Sequence, residues 1–133
     1  MPEHPGLVVL FGSGETSASG QKVFDWLLRR LPSPPQVAIV ETPAGFELNS
    51  AQVAGRIGEF LSYRLQNYRP QVTVVPARKR GTPFSPDSPE IAALIPRANA
   101  IFLGPGSPTY AVRQLRNSLT WQTAVACHRQ GAA

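Results

Sequence analysis

An α/β fold, with a parallel sheet between two layers of helices, is what this sequence predicts, and three observations carry the prediction. Four short, mostly apolar runs (Leu7 to Phe11, Val37 to Val40, Val72 to Val75, Ala100 to Leu103) read as strands, the first with the almost uniform hydrophobicity of a parallel strand buried on both faces. Segments with apolar residues at helical spacing separate them. The first and last runs end in glycine-rich turns, Gly12-Ser13-Gly14-Glu15-Thr16 and Gly104-Pro105-Gly106-Ser107-Pro108-Thr109. Strands that alternate with helices need crossover connections, which lay the strands parallel and put helices on both faces.

The elements follow in order. After the first run, Val23, Phe24, Leu27, Leu28 and Leu31 share one helix face, starting near Ser19 to Gln21, and Pro32 with Pro34-Pro35 stops that helix. The second run closes in Glu41-Thr42-Pro43-Ala44-Gly45. Asn49 or Ser50 caps the next helix, whose stripe is Val53, Ala54, Ile57, Phe60, Leu61 and Leu65. The third run ends at Pro76, and a surface loop from Ala77 to Pro89 leads into a short helix, Glu90 to Ile95, capped by Asp87 or Ser88. The fourth run precedes an amphipathic segment, Tyr110 to Leu119, and a last helix at about Thr120 to Gln130, with Gly131 as its C-terminal cap.

The expected three-layer sheet has strand order 3-2-1-4, a Rossmann-like or flavodoxin-like arrangement. Ligands in such sheets bind beyond the carboxyl ends of the strands, where the strand order reverses. That point falls between the first and fourth strands, so the two glycine loops are expected to face each other across one crevice. Gly12, Ser13, Gly14 and Glu15 line one side, and Gly104, Gly106 and Ser107 the other.

Length and composition bound the rest. The chain has 133 residues, of which 42% are hydrophobic, enough for one core. No apolar run nears the roughly 20 residues of a membrane helix, and the start, Met1-Pro2-Glu3-His4-Pro5, has no signal-peptide pattern. The expected location is the cytoplasm. The net charge of +5 comes from scattered basic residues. Their one cluster, Arg78-Lys79-Arg80, sits in a Pro/Gly loop without aromatics and reads as a solvated loop, so no nucleic-acid partner is expected. Gly131-Ala132-Ala133 looks like a helix cap followed by the first residues of another strand. The chain therefore reads as a domain truncated before its fifth strand, with the fourth strand's edge free to form a homodimer.

The chemistry-bearing residues are few. Gly12-x-Gly14 with Glu41 ending the next strand partly matches a dinucleotide fingerprint, but Ser17 stands at the third glycine position. Gly14 to Lys22 has the wrong spacing for a phosphate loop and carries a carboxylate at Glu15. Cys127 and His128 are adjacent and point about 100° apart on a helix, so they form no nucleophile pair. A single cysteine and two distant histidines offer neither a disulfide nor a metal site. Ser13, Ser17, Ser19 and Ser107 have no histidine placed as a base and suit loop hydrogen bonds or caps. Glu15 could select a cationic or amide-bearing substrate, or cap the following turn.

Three segments together resemble the N-terminal part of the class I glutamine amidotransferase-like fold, in its cyanophycinase and aspartyl dipeptidase branch of serine peptidases. They are the opening strand with Gly12-Ser13-Gly14, the Val37-to-Pro43 strand with its Thr-Pro-Ala turn, and Ile101-Phe102-Leu103-Gly104-Pro105-Gly106-Ser107 continuing to Tyr110 and Leu115. The resemblance implies a hydrolase of peptide or amide bonds without a cofactor, in which the backbone of the last segment helps to form an oxyanion hole. Pro105 replaces the family's middle glycine and has no N–H to donate, so Gly104 or Gly106 would supply the donor. The family's nucleophile and histidine fall beyond Ala133, so no catalytic residue is expected within this chain and it is expected to be inactive alone. A noncatalytic binding module and a nucleotide-binding domain are the other classes the residues leave open.

Overall fold

The computed structural model of the chain describes residues 3–133. Strand β1 (Gln36–Val40) is the centre of its sheet, with β2 (Gln71–Val75) parallel on one side and β3 (Ala100–Leu103) parallel on the other. Val37 pairs with Val72 and with Ala100, and Val40 with Val75 and with Leu103. Side chains alternate across a strand, so β1 feeds two cores. Val37 and Ile39 join Phe24 and Leu28 of α1 (Ala18–Leu28) and Ala54, Ile57 and Leu61 of α2 (Ser50–Arg64). Ala38 and Val40 join Ile91 of α3 (Pro89–Ala92), Ile95, and Ala124 of α5 (Leu119–Arg129). Helix α4 (Pro108–Leu115) leaves the carboxyl end of β3. The predicted three-layer α/β architecture is the one found.

Its helix ends follow local chemistry. Ser17 caps α1 by accepting the Gly20 N–H at 3.1 Å, and Ser88 caps α3 through the Ile91 N–H. α5 ends in a Schellman motif, with Gly131 N–H on the His128 carbonyl and Ala132 N–H on that of Cys127. Gly131 takes φ +116°, as its predicted capping role requires.

Three expectations need correction. Leu7 to Phe11 forms no strand, and the third and second predicted strands are followed directly by the fourth, in place of 3-2-1-4. Both edges of β1 are taken by β2 and β3, which leaves no lane for another strand beside it. The segment instead passes the outer edge of β3. Gly6 N–H donates to the His128 carbonyl at 2.9 Å, and the Phe11 ring packs on Phe24 at 5.0 Å and Phe102 at 5.8 Å. The single helix expected over Tyr110 to Leu119 is also broken. Asn117 adopts a left-handed φ of +58°, which asparagine tolerates, and the buried Ser118 then caps α5 through the Trp121 N–H at 3.0 Å. Finally, α3 is a single turn that stops at Ala92, short of Ile95.

Beyond α5 the expected strand start is present in miniature. Ala133 N–H donates to the Asn99 carbonyl and Ile101 N–H to the Ala133 carbonyl, both at 2.8 Å, the two bonds of a parallel bridge.

A polar contact ties the far end of α2 to α1. Tyr68 follows α2 in a single 3₁₀ turn, and its hydroxyl donates to the Asp25 carboxylate of α1. That bond to Asp25 holds the Tyr68 hydroxyl above its ordinary pKa of 10.0. A raised folded-state value means the stabilisation is complete below the unfolded pKa and is lost as pH rises through the folded one. Tyr68→Phe is therefore expected to be less stable than the parent in urea titrations at neutral pH, with the difference vanishing in strong alkali. A difference unchanged with pH would refute the assignment.

Candidate functional site

At the carboxyl end of β3 the chain turns through Gly104-Pro105-Gly106-Ser107 into α4, and two of the three backbone donors of that turn are engaged. Gly104 N–H donates to the Val40 carbonyl at 3.2 Å and Ser107 N–H to the Pro43 carbonyl at 2.8 Å. Pro105 has no N–H. Gly106 N–H is left without an acceptor among the described residues, on an exposed part of the turn. Of the two glycines expected to offer a donor, Gly106 is the one whose donor is free.

Gly106 is required there for two reasons. Its φ of +148° is closed to other residues, and a Cβ would stand 2.0 Å from the Pro43 carbonyl oxygen. Pro43 belongs to a 3₁₀ turn, Thr42–Ala44, that follows β1 and carries the loop. Ser107 Oγ accepts the Tyr110 N–H at 3.1 Å and so caps α4, with Pro108 at its first position. The positive end of the α4 dipole consequently faces the same turn.

Beneath this turn lies an ion pair between a buried carboxylate and a half-buried arginine. Glu41, 3% exposed at the end of β1, accepts from Arg78 Nε at 2.6 Å and from Ser50 Oγ at 3.2 Å, both on Oε2. The Arg78 guanidinium stacks on Phe84, 4.2 Å from the ring centre, and the Arg78 carbonyl accepts the Tyr110 hydroxyl at 2.7 Å. Burial pushes the Tyr110 hydroxyl pKa up. Gly45 packs against the Arg78 backbone, where a Cβ would meet its carbonyl oxygen at 2.4 Å. Arg78 thus joins the end of β1, the loop after β2 and the first turn of α4.

This qualifies the reading of Arg78-Lys79-Arg80 as a solvated loop: Lys79 and Arg80 are exposed, with Arg80 donating to the Arg116 carbonyl and lying 3.6 Å from Asp87, whereas Arg78 is half-buried on Glu41. Sequence reasoning missed Arg78 and Tyr110 as positioning residues. The signal that could have found Arg78 is a carboxylate ending one strand and an arginine just past the end of the next. The same pair engages Glu41, the residue that a dinucleotide site would need for a ribose.

The second predicted loop stands apart. Ser13 and Gly14 both take positive φ, +81° and +72°, and the Ser17 hydroxyl donates to the Gly14 carbonyl. Gly20 of α1 packs against this turn, its missing Cβ 2.5 Å from the Gly14 and Glu15 carbonyl oxygens. Glu15 makes no ion pair among the described residues. No hydrogen bond among the described residues joins Gly12–Glu15 to Gly104–Ser107, and the residues just before each loop meet through the Phe11 and Phe102 rings. Cys127 is half-buried on α5, and burial raises its thiol pKa. No group of three or more His, Cys, Asp or Glu side chains is arranged to hold a metal among the described residues, and no described helix is long and apolar enough to cross a membrane.

No known protein family and no curated protein matches the sequence. Among solved structures, the chain superposes on a peptidase from an acI-B1 Actinobacterium with a TM-score of 0.79 at 22% identity. The match covers 98% of this chain and 53% of the peptidase, so this chain spans about half the length of that protein. The likeness establishes a shared α/β fold.

Two substitutions test the supports of the turn. Gly106→Ala is expected to lose about 2 kcal/mol or more, from its positive φ and the clash with Pro43. Arg78→Met is expected to lose about 3 kcal/mol by leaving the Glu41 carboxylate buried with one hydroxyl partner. Urea unfolding midpoints measure both, and a variant as stable as the parent would show that its contact does not hold the turn.

Proposed function

We propose that this chain is the N-terminal part of an amidotransferase-like hydrolase of the serine-peptidase type, acting on a small peptide or amide substrate. In this reading the Gly104–Ser107 turn forms part of an oxyanion hole. The observation that carries it is the free Gly106 N–H, held by the clasp of Gly104 on Val40 and Ser107 on Pro43 at the carboxyl end of the sheet. The helix dipole of α4 and the rigid Pro43 turn favour negative charge at that point before any substrate arrives. The fold shared with a peptidase of nearly twice the length supports the same reading. The chain supplies one wall of the site and no nucleophile, so it is inactive by itself, because acyl transfer by this route needs a nucleophile, a base and its orienting group.

A noncatalytic reading has one observation in its favour. Pro105 leaves a single free donor in the turn where two amides would grip an oxyanion more firmly. A turn of that kind could hold a carboxylate or another anion without chemistry.

The test uses the full-length protein. It is expected to hydrolyse small amide or dipeptide substrates and to be labelled by a fluorophosphonate. Replacing Gly106 by glycolate deletes its N–H while keeping the chain's shape, and the expected result is a kcat lower by about 100-fold with KM little changed. A full-length protein with no serine-reactive group near this turn, or an unaltered kcat in the glycolate variant, would overturn the proposal.

A further inference from the structure

Helices α1 and α2 pack on the same face of the sheet, and their outer surface gathers charge that the sequence scatters. On α1, Lys22, Trp26 and Arg29 recur at helical spacing opposite the buried Phe24, Leu27 and Leu28, with Arg30 beside them, and all four are exposed. On α2, the exposed Arg56 and Tyr63 lie opposite the buried Ala54, Ile57 and Leu61. The exposed Arg64 and Arg69 follow at its end. Two contacts draw the helices together there. Gln21 Nε2 donates to the Arg64 carbonyl at 3.4 Å, and the Tyr68 hydroxyl donates to the Asp25 carboxylate.

This surface carries six basic side chains against two acidic ones, which accounts for most of the chain's net charge of +5. Asp25 is already engaged by the Tyr68 hydroxyl and by Arg29 Nη2 at 3.1 Å. Glu59 is the one carboxylate on it without an ion pair among the described residues. Planar groups stand among the cations. The Arg30 guanidinium lies over the Trp26 ring, 3.9 Å from its centre, and donates Nη1 to the Trp26 carbonyl at 2.7 Å, which pins an exposed cation against an aromatic ring. Tyr63 is 70% exposed, with the Arg64 guanidinium 5.9 Å from its ring centre.

A single exposed ring needs no explanation. Rings and a stacked guanidinium interleaved with free cations form the surface on which unpaired bases stack while their phosphates are neutralised. An acidic peptide would use the cations and leave the rings idle. A membrane surface would need aliphatic side chains to insert, and Trp26 and Tyr63 are the only large hydrophobic side chains exposed on these two helices.

We infer that the outer surface of α1 and α2 binds single-stranded nucleic acid. Lys22, Arg29, Arg56 and Arg64 take phosphates, and Tyr63 and the Arg30–Trp26 stack take bases. The expectation of no nucleic-acid partner looked to basic residues adjacent in sequence, whereas these lie between positions 22 and 69 and are neighbours only in the fold. The surface shares no residue with the Gly104–Ser107 turn, so the inference holds whether or not the protein hydrolyses amides.

Fluorescence anisotropy of the full-length protein with short labelled oligouridylate and oligothymidylate tests it. Both are expected to bind, with an affinity that falls steeply as salt rises, because neutralised phosphates release counterions. Tyr63 lies outside both core clusters. Tyr63→Ala is therefore expected to weaken binding by about 10-fold with the urea midpoint unchanged. Arg30→Glu is expected to weaken it by about 10-fold or more, whereas the same reversal at Lys79, in the loop after β2, changes it by less than about 2-fold. Absence of binding at low salt, full affinity in Tyr63→Ala, or an equal loss in Lys79→Glu would each overturn the inference. So would poly-glutamate or phosphatidylserine vesicles that bind as tightly as the oligonucleotides, since charge alone would then select the partner.

Discussion

The ion pair between Glu41 and Arg78 organises everything around the Gly104–Ser107 turn. A carboxylate at the end of the central strand is almost fully removed from water, at a desolvation cost of several kcal/mol unless it is matched. A charge-assisted bond from Arg78 and a hydroxyl from Ser50 supply the match. Meeting that need draws the loop after β2 over the end of β1. The Arg78 backbone then receives the Tyr110 hydroxyl, which anchors the first turn of α4. One buried charge therefore fixes three pieces of chain that are far apart in sequence.

On that platform the Gly104–Ser107 turn is held mainly by backbone. Two of its amides reach carbonyls of the neighbouring strand and turn, a proline removes a third, and the fourth points to solvent. Side chains play little part beyond the Ser107 cap. The turn is rigid for steric reasons, since Gly106 lies against Pro43 with no space for a Cβ. A donor fixed in advance costs no reorganisation when charge develops, the physical basis of electrostatic catalysis and of anion binding alike.

Elements with one strong local pattern are legible in the residues themselves. The apolar runs at Val37–Val40 and Ala100–Leu103 and the mostly apolar Val72–Val75 are strands, and the stripe from Val53 to Leu65 is α2, because each keeps one period over its length. Caps at Ser88 and Gly131 follow from side-chain and backbone chemistry confined to a few residues. The break at Asn117 is less visible, since Tyr110 to Leu119 keeps a helical pattern and asparagine carries only a weak preference for the left-handed region. In the site, Gly106 stands out in its loop, but its being the free donor does not, because that depends on where Val40 and Pro43 lie. The facing of Gly12–Glu15 toward that loop rested on a strand order that the sheet does not have.

Local patterns in the chain were enough to define the layers: which segments are strands and helices, which faces are apolar, and where glycine is needed for a turn. These follow from propensities and periodicities that act within a dozen residues. It took the folded chain to place β1 between β2 and β3, to bring Arg78 onto the buried Glu41, and to leave Leu7 to Phe11 outside the sheet. Strand pairing, ion-pair choice and the use of a backbone donor are settled by competition among partners distant along the chain. An apolar run states that it must be buried; its neighbours decide where.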